Sequence, residues 1–227
     1  ITPSKSSKKG IVDEFNCNKA NITVINNGID TNEFSPVNEV TRNEFRLITT
    51  ASADVPLKGL DFSLKALKKL KKDFPNMHLI VIGLIKKGGH TEKLIRKLGL
   101  ENDVTFKSNL TKNEIKDCYS KSSIAIVSSL YEGFGYPVIE AMSCEVPLIA
   151  TNVSSIPELT SEFAKLVDSK NEEMIYQSVK DILAEYDKYK KIAIKGRQHV
   201  IKNFNWIKIT GEYENAIFET IKNFKKC

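Results

Sequence analysis

A chain of 227 residues, 41% of them hydrophobic, has room for one large domain or for one domain with a fragment of another, and enough apolar side chains for a packed core. Its net charge of +6 comes mostly from lysines spread along helix-like stretches such as KALKKLKKD, with no interleaved aromatic residues, so it reads as a solvated helix face and speaks against nucleic acid as a partner. No run approaches the roughly 20 apolar residues a membrane-spanning helix requires, and the cysteines at 17, 118, 144 and 227 form no C-x-x-C pair, which excludes a signalled zinc site or disulfide framework and reads as reduced cytosolic thiols.

The chain opens on Ile1, and ITPSKSSKKG has neither the apolar run nor the cleavage site of a secretory signal, so the expectation is a start inside a longer protein. Residues 1–20 read as a strand end followed by a helix. NNGIDTNEFSP at 26–36 has the Asn-Gly, Asp and Pro punctuation of a linker or turn. From residue 45 onward, short β-branched runs alternate with helix-period segments, the signature of βαβ units. Strands are predicted at 45–51, 77–83, 103–107, 123–128, 146–151 and 163–167. Between the first two, Leu60, Leu64, Leu67 and Leu70 recur at three- and four-residue spacing among lysines, which predicts an amphipathic helix with Gly59 at its start. Further helices are predicted at 91–98, 111–121 and 137–145. Beyond about residue 170 the strand pattern stops, and helices at roughly 171–186, 188–202 and 206–224 complete the chain. Right-handed crossovers then give an α/β domain with a Rossmann-like, doubly wound parallel sheet.

In such a sheet ligands bind outside the carboxyl ends of the strands, so the loops that follow strands carry the chemistry. One stands out. After the strand at 123–128 comes SLYEGFGYPVIEAMSCEVPLIAT, in which Glu132 precedes Gly133, Phe134 and Gly135, and Pro137 opens a helix carrying Glu140. Proline in a first helical turn gives up no useful hydrogen bond, and the glycines let backbone N–H groups approach a ligand closely. Helix-start amides and the positive dipole end suit a diphosphate. Glu140, on the expected first turn, offers a carboxylate to a ribose diol, and Glu132 offers one to sugar hydroxyls. Each has a plainer alternative: Glu132 as an exposed loop carboxylate, and Glu140 as a helix N-terminal acid gaining about 0.3–1 kcal/mol from the dipole.

The stretch YEGFGYPVIEAMSCEVPLIAT, with two glutamates separated by seven residues, resembles the signature of the family-four retaining glycosyltransferases of the GT-B fold. NNGID at 26–30 resembles the interdomain linker of that family, LKGLDFSLKAL at 57–67 its lysine-glycine loop and helix, and SSIPEL at 154–159 a further match. FNWIKITGEYENAIFETI at 204–221 is similar to the closing helix that crosses back to the first domain. The resemblance implies that Lys58 neutralises the diphosphate of a nucleotide-sugar donor and that Glu132 holds hydroxyls of the donor sugar. It implies backbone contacts to sugar and phosphate from Gly133, Phe134 and Gly135, ribose binding by Glu140, and contacts to the base from backbone atoms of Lys107 and Ser108. It implies no metal and no cofactor beyond the substrate, a UDP- or GDP-sugar. Two departures stand out. Many relatives carry a Gly-Arg pair before the lysine loop where this chain has Ser52 and Ala53, and the glycine usual after the signature helix is Glu145.

Other polar residues read more plainly. His78 begins a strand and is expected to be structural; His90, in KKGGHTEK, either faces the donor or caps a helix; His199 lies on a peripheral helix with no partner motif. With three dispersed histidines and no clustered acids, no metal site is expected. Trp206 and Tyr213 read as packing anchors. The resulting expectation divides the chain into residues 1–25, a remnant of an acceptor domain and linker, 26–203, the donor-binding domain, and 204–227, the crossover helix. The whole enzyme is expected to transfer a hexose, with retention, to a saccharide, lipid-linked or small-molecule acceptor held by the missing domain, in the cytoplasm or at the inner membrane face. This chain alone is expected to be incomplete for catalysis. A non-catalytic nucleotide-sugar-binding module and a sugar-phosphate synthase of the same fold are the alternatives.

Overall fold

The computed structural model describes residues 1–37, 40–52 and 54–224. Strands β1 (Asn43–Thr50), β2 (His78–Ile82), β3 (Val104–Lys107), β4 (Ser122–Val127), β5 (Leu148–Thr151) and β6 (Lys165–Val167) pair in parallel, in the order β3-β2-β1-β4-β5-β6. Helices α1 (Lys5–Phe15), α2 (Leu60–Asp73), α3 (His90–Leu98), α4 (Lys112–Ser120), α5 (Tyr136–Ser143), α6 (Ile156–Thr160), α7 (Glu172–Ala184), α8 (Tyr186–Phe204) and α9 (Trp206–Phe224) connect and flank them. Each predicted strand and helix is present, with ends moved by a few residues. The short helix α6 was not expected.

Alternation along the strands builds two cores, one on each face of the sheet. Leu47, Leu79, Ile124, Ile126 and Ile149 meet buried residues of α2, α3 and α7, while Ile48, Ile80, Ala125, Val127, Leu148 and Ala150 meet those of α4, α5, α6 and α8. Because β4 is covered on both faces, all six of its residues are buried, which is why SSIAIV is a run and not an alternation. Helix α2 buries Leu60, Leu64, Leu67 and Leu70, the leucines whose spacing predicts it, and stops where the Phe74 N–H bonds the Leu70 carbonyl. Losing one such side chain, Leu64→Ala for example, costs about 2–5 kcal/mol. Thr111 and Glu114 close the start of α4 with a reciprocal capping box.

The end of α5 shows how the missing glycine is accommodated. Glu145 adopts φ 55°, the left-handed cap geometry that favours glycine. The Arg42 guanidinium donates to the carbonyls of Tyr119 (3.2 Å), Ser122 (2.8 Å), Cys144 (2.9 Å) and Glu145 (3.1 Å), placing a cation where α4 and α5 both end. At the other end of the chain, Ile207, Ile217, Phe218 and Ile221 on α9 are exposed. Trp206 is half-exposed, and its ring lies against Gly28, where a Cβ would come within 2.5 Å of it. Among the described residues no helix is long and apolar enough to cross a membrane.

Candidate functional site

The strand order reverses between β1 and β4, so the loops leaving these two strands diverge and open a crevice at their carboxyl ends. Both loops carry predicted site residues. After β1 the chain makes a single turn of 3-10 helix, Pro56–Lys58, and enters α2 through Gly59 at φ +61°. A Cβ on Gly59 would sit 2.0 Å from the Ser128 carbonyl oxygen, so glycine is required there by both space and backbone angle. The Leu130 N–H donates to the Leu57 carbonyl at 2.7 Å, tying the β4 loop to the β1 loop one residue before Lys58.

That tie brings Lys58 and Glu132 together, with Nζ to Oε1 at 2.8 Å. The Ser129 hydroxyl donates to the same oxygen at 2.7 Å. Among the described residues both of these contacts use Oε1, which leaves Oε2 for a ligand hydroxyl. The side chain of Glu132 is 10% exposed and that of Lys58 31%, so the pair is largely shielded from water yet open on the lysine side. An ammonium has three N–H donors, and one on Glu132 leaves two for an anion.

The glycine loop is held by hydroxyls to which the sequence assigned no role. Ser154 accepts the Glu132 N–H at 2.8 Å, and the buried Ser155 hydroxyl shares its one proton between the carbonyls of Glu132 (2.8 Å) and Phe134 (2.6 Å). Ser4 and Ser7, at the start of α1, donate to the Gly133 carbonyl at 2.7 and 3.0 Å, while the Lys5 and Ser6 N–H groups bond the Glu158 carboxylate at 3.0 and 3.1 Å. The first residues of the chain therefore brace the loop directly. The two serines of SSIPEL are the sequence signal for such a brace; nothing in ITPSKSS distinguishes Ser4 or Ser7.

Phe134 is buried and edge-on to Tyr136 (5.4 Å) and Phe204 (6.1 Å), so its side chain anchors the loop to the core. Gly135, at φ +107°, is the N-cap of α5, with Pro137 in the first turn. Gly133 meets nothing closer than the Ser7 hydroxyl at 3.8 Å from its would-be Cβ, so protein contacts do not demand glycine there and the space lies open.

Glu140 corrects one expectation. Helix α5 begins at Tyr136 and its first turn holds no acid, so Glu140 lies in the second turn, away from the helix-start amides. It is fixed instead from α4 and β1: the Tyr119 hydroxyl reaches its Oε2 at 3.0 Å and lies 3.1 Å from the Thr50 hydroxyl. Burial pushes the Glu140 carboxyl above its ordinary value, with the Tyr119 hydrogen bond acting the other way. The Lys107 carbonyl accepts the Gly83 N–H at 2.8 Å, so that carbonyl belongs to the sheet, and the exposed Ser108 is the first residue beyond it. At about 4.8 Å per strand, the edge from β3 to β4 spans roughly 14 Å.

Of the three histidines, His90 borders the crevice, lining one cavity with Asp54, Gly59 and Leu130. His78 pairs with Thr105 across β2 and β3 at 2.9 Å, and burial lowers its pKa. His90 opens α3 and pairs with Asp61 at 2.7 Å, and His199 packs between Phe163 and Phe204. Among the described residues no three His, Cys, Asp or Glu side chains come together as a metal-ligating group. Ser52 is exposed, and Ala53 and Cys227 lie outside the described residues.

A family model described as "Glycosyl transferases group 1" matches residues 32–199. The MMP alpha-(1->4)-mannosyltransferase of Mycolicibacterium hassiacum is 30% identical over 224 residues, 96% of this chain and 54% of its own length. The O-antigen chain mannosyltransferase RfbU of Salmonella typhimurium is 29% identical over 182 residues, 80% of this chain and 50% of its own length. The chain thus spans about half the length of these curated relatives. Among solved structures, a glycosyltransferase from Rickettsia africae superposes with a TM-score of 0.84 at 25% identity, over 97% of this chain and 62% of that one.

Proposed function

The chain belongs to the glycosyl transferases group 1 family, and from that premise we propose that it is the donor-binding half of a retaining hexosyltransferase. One observation carries the reading: Lys58 and Glu132, from the loops after β1 and β4, meet at 2.8 Å at the point where the strand order reverses. Lys58 offers its remaining N–H donors to the diphosphate, and the amides at the start of α5 add to the positive potential there. Glu132 presents Oε2 to hydroxyls of the sugar. Glu140 takes the ribose diol, and Ser108 with Lys107 borders the base. As the glycosidic bond breaks, negative charge grows on the leaving diphosphate, and donors already in place stabilise it without reorganisation, with no metal required.

Both curated relatives described above are named mannosyltransferases, which makes mannose the first sugar to test, on either GDP or UDP. The acceptor, a saccharide, a lipid-linked sugar or a small molecule, and any association with a membrane face belong to the rest of the enzyme. The exposed apolar side chains of α9 are consistent with a helix that returns to that part. A non-catalytic nucleotide-sugar-binding module is the second reading, favoured by Ser52 and Ala53, which stand in place of the Gly-Arg pair.

Calorimetric titration with UDP, GDP and ADP, then with sugar conjugates of the tightest binder, tests the donor site. Binding of one diphosphate and tighter binding of its sugar conjugate is the expected result; no binding of any of them overturns it. Holding donor and acceptor in near-attack geometry is worth up to about 7–11 kcal/mol. The chain should therefore bind donor without glycosylating acceptors, and transfer by the chain at the rate of the full-length enzyme would overturn the two-half reading. Binding without transfer by the full-length protein would favour the non-catalytic module.

A further inference from the structure

Tyr119 is nearly water-free, 1% exposed, yet its hydroxyl does not end in the core. It lies between the Thr50 hydroxyl, on the last residue of β1, and the Glu140 carboxylate on α5, at 3.1 and 3.0 Å. The chain of contacts thus runs from the carboxyl edge of the sheet at the strand-order reversal, through α4, to the second turn of the signature helix. We infer that Tyr119, oriented by Thr50, is a positioning residue that presets the Glu140 carboxylate for a ribose diol. The inference rests on the ribose reading of Glu140 proposed above.

The direction of the protons follows from the groups. Burial and the neighbouring Glu140 hold the Tyr119 phenol well above its usual pKa, so it stays protonated and donates to the carboxylate. Its single proton is then spent, and the Thr50 hydroxyl must donate to the phenol oxygen in turn. Each of these two hydroxyls donates once, and neither is left unpaired. An unpinned glutamate samples several rotamers, and a ligand that captures one of them forfeits that freedom on binding. A carboxylate already held by Tyr119 avoids that loss and meets the diol in one orientation. A purely structural tyrosine would stabilise the fold equally for every ligand; a positioning tyrosine acts only where the ribose hydroxyls are present.

The test compares GDP and UDP with their 2′,3′-dideoxy analogues by calorimetry, on the wild-type chain and on Tyr119→Phe, which keeps the ring and removes the donor. The wild type is expected to favour the ribonucleotide, and Tyr119→Phe to lose about three- to tenfold of ribonucleotide affinity, the scale of one hydrogen bond to a charged group acting at one remove, with dideoxynucleotide affinity unchanged. In a Glu140→Gln background the same substitution should add no further loss. Thr50→Val, which preserves shape, should shift the preference the same way by less, and it decides the matter should Tyr119→Phe fail to fold. Equal losses for both nucleotide types, or an unchanged preference in Tyr119→Phe or in a folded Thr50→Val chain, overturn the positioning role alone. A wild-type chain that binds GDP or UDP without distinguishing the dideoxy form overturns the ribose reading of Glu140 and the inference with it. A chain that binds neither overturns the donor site as a whole.

Discussion

Gly59→Ala tests the packing that sets Lys58 in place. A methyl group at this position would lie 2.0 Å from the Ser128 carbonyl oxygen and 2.9 Å from its carbon, and the backbone sits at φ +61°. The left-handed conformation alone costs an alanine about 1–2 kcal/mol. The obstacle is main chain at the end of the central strand β4, so it cannot yield as the tip of a side chain would. Relief requires α2 and β4 to separate, against the 3.0 Å hydrogen bond from the Ser128 hydroxyl to the Gly59 carbonyl. Overpacking of this kind costs about 1–3 kcal/mol, for a total of about 2–5 kcal/mol. Gly88 is the control, since it has φ +72° and a Cβ there would meet nothing within 4 Å, so Gly88→Ala isolates the backbone cost. Urea unfolding of the two variants should therefore differ by about 1–3 kcal/mol. Calorimetry with UDP and GDP should show weakened diphosphate binding only in Gly59→Ala, because Lys58 is its immediate neighbour. Equal destabilisation by the two substitutions, or full diphosphate affinity in a folded Gly59→Ala chain, would refute the argument that this close approach sets the lysine.

Three further outcomes follow from the same geometry. Lys58→Ala should weaken a nucleoside diphosphate by roughly tenfold or more while leaving the nucleoside alone, and Glu132→Ala should penalise the sugar conjugate beyond the bare diphosphate; titrations of all three ligands that show uniform losses would contradict this division. Glu145→Gly should stabilise the chain by about 0.5–1 kcal/mol by relieving the cap at φ 55°, with nucleotide affinity unchanged, and a destabilised variant would show that the side chain matters more than the backbone angle. Burial holds the Glu140 carboxyl above its ordinary value, among Thr50 and Tyr119 from β1 and α4, Tyr136 of its own helix, Cys144 at the C-cap of that helix, and Arg42 and Arg197 beyond Cys144. The folded chain then keeps a proton that the unfolded chain has released, so the stability linked to this group is complete below the ordinary value and lost as pH rises through the raised one. Ribose binding requires the anion and moves oppositely: the preference for ribonucleotide over dideoxynucleotide should fall as pH drops through a value above that of an ordinary glutamate, and a preference constant down to that ordinary value would count against it.

Much of the candidate site was legible because its chemistry is local. Ser122 to Ser143 form one strand-loop-helix unit, in which the order Glu132, Gly133, Gly135, Pro137, Glu140 carries its own physical meaning in turn geometry and helix entry. The partners that hold this unit were not legible. Tyr119 is 21 residues from Glu140, Ser155 is 23 from the Glu132 carbonyl, and Ser4 is 129 from the Gly133 carbonyl. A serine or tyrosine hydroxyl announces only that it will seek a partner, and which partner it meets depends on which elements pack together. The turn of Glu140 is a smaller case: a helix opened by Pro137 would hold Glu140 in its first turn, and the N-cap at Gly135 starts the helix one residue earlier and moves the acid into the second.

Local sequence pattern specifies the elements, their order and the doubly wound sheet, because hydrophobic period, chain direction and crossover handedness are properties of short stretches of chain. It also determined the glycine-rich loop and the acids that flank it. Tertiary structure alone decided that Lys58 pairs with Glu132, that Arg42 collects the carbonyls at the ends of α4 and α5, and that serines from the first residues of the chain brace the glycine loop. Those contacts join residues from 74 to 129 positions apart, and they form because buried carbonyls, carboxylates and ammonium groups must find partners once water is excluded, a demand that arises only when the sheet and its helices have closed over them.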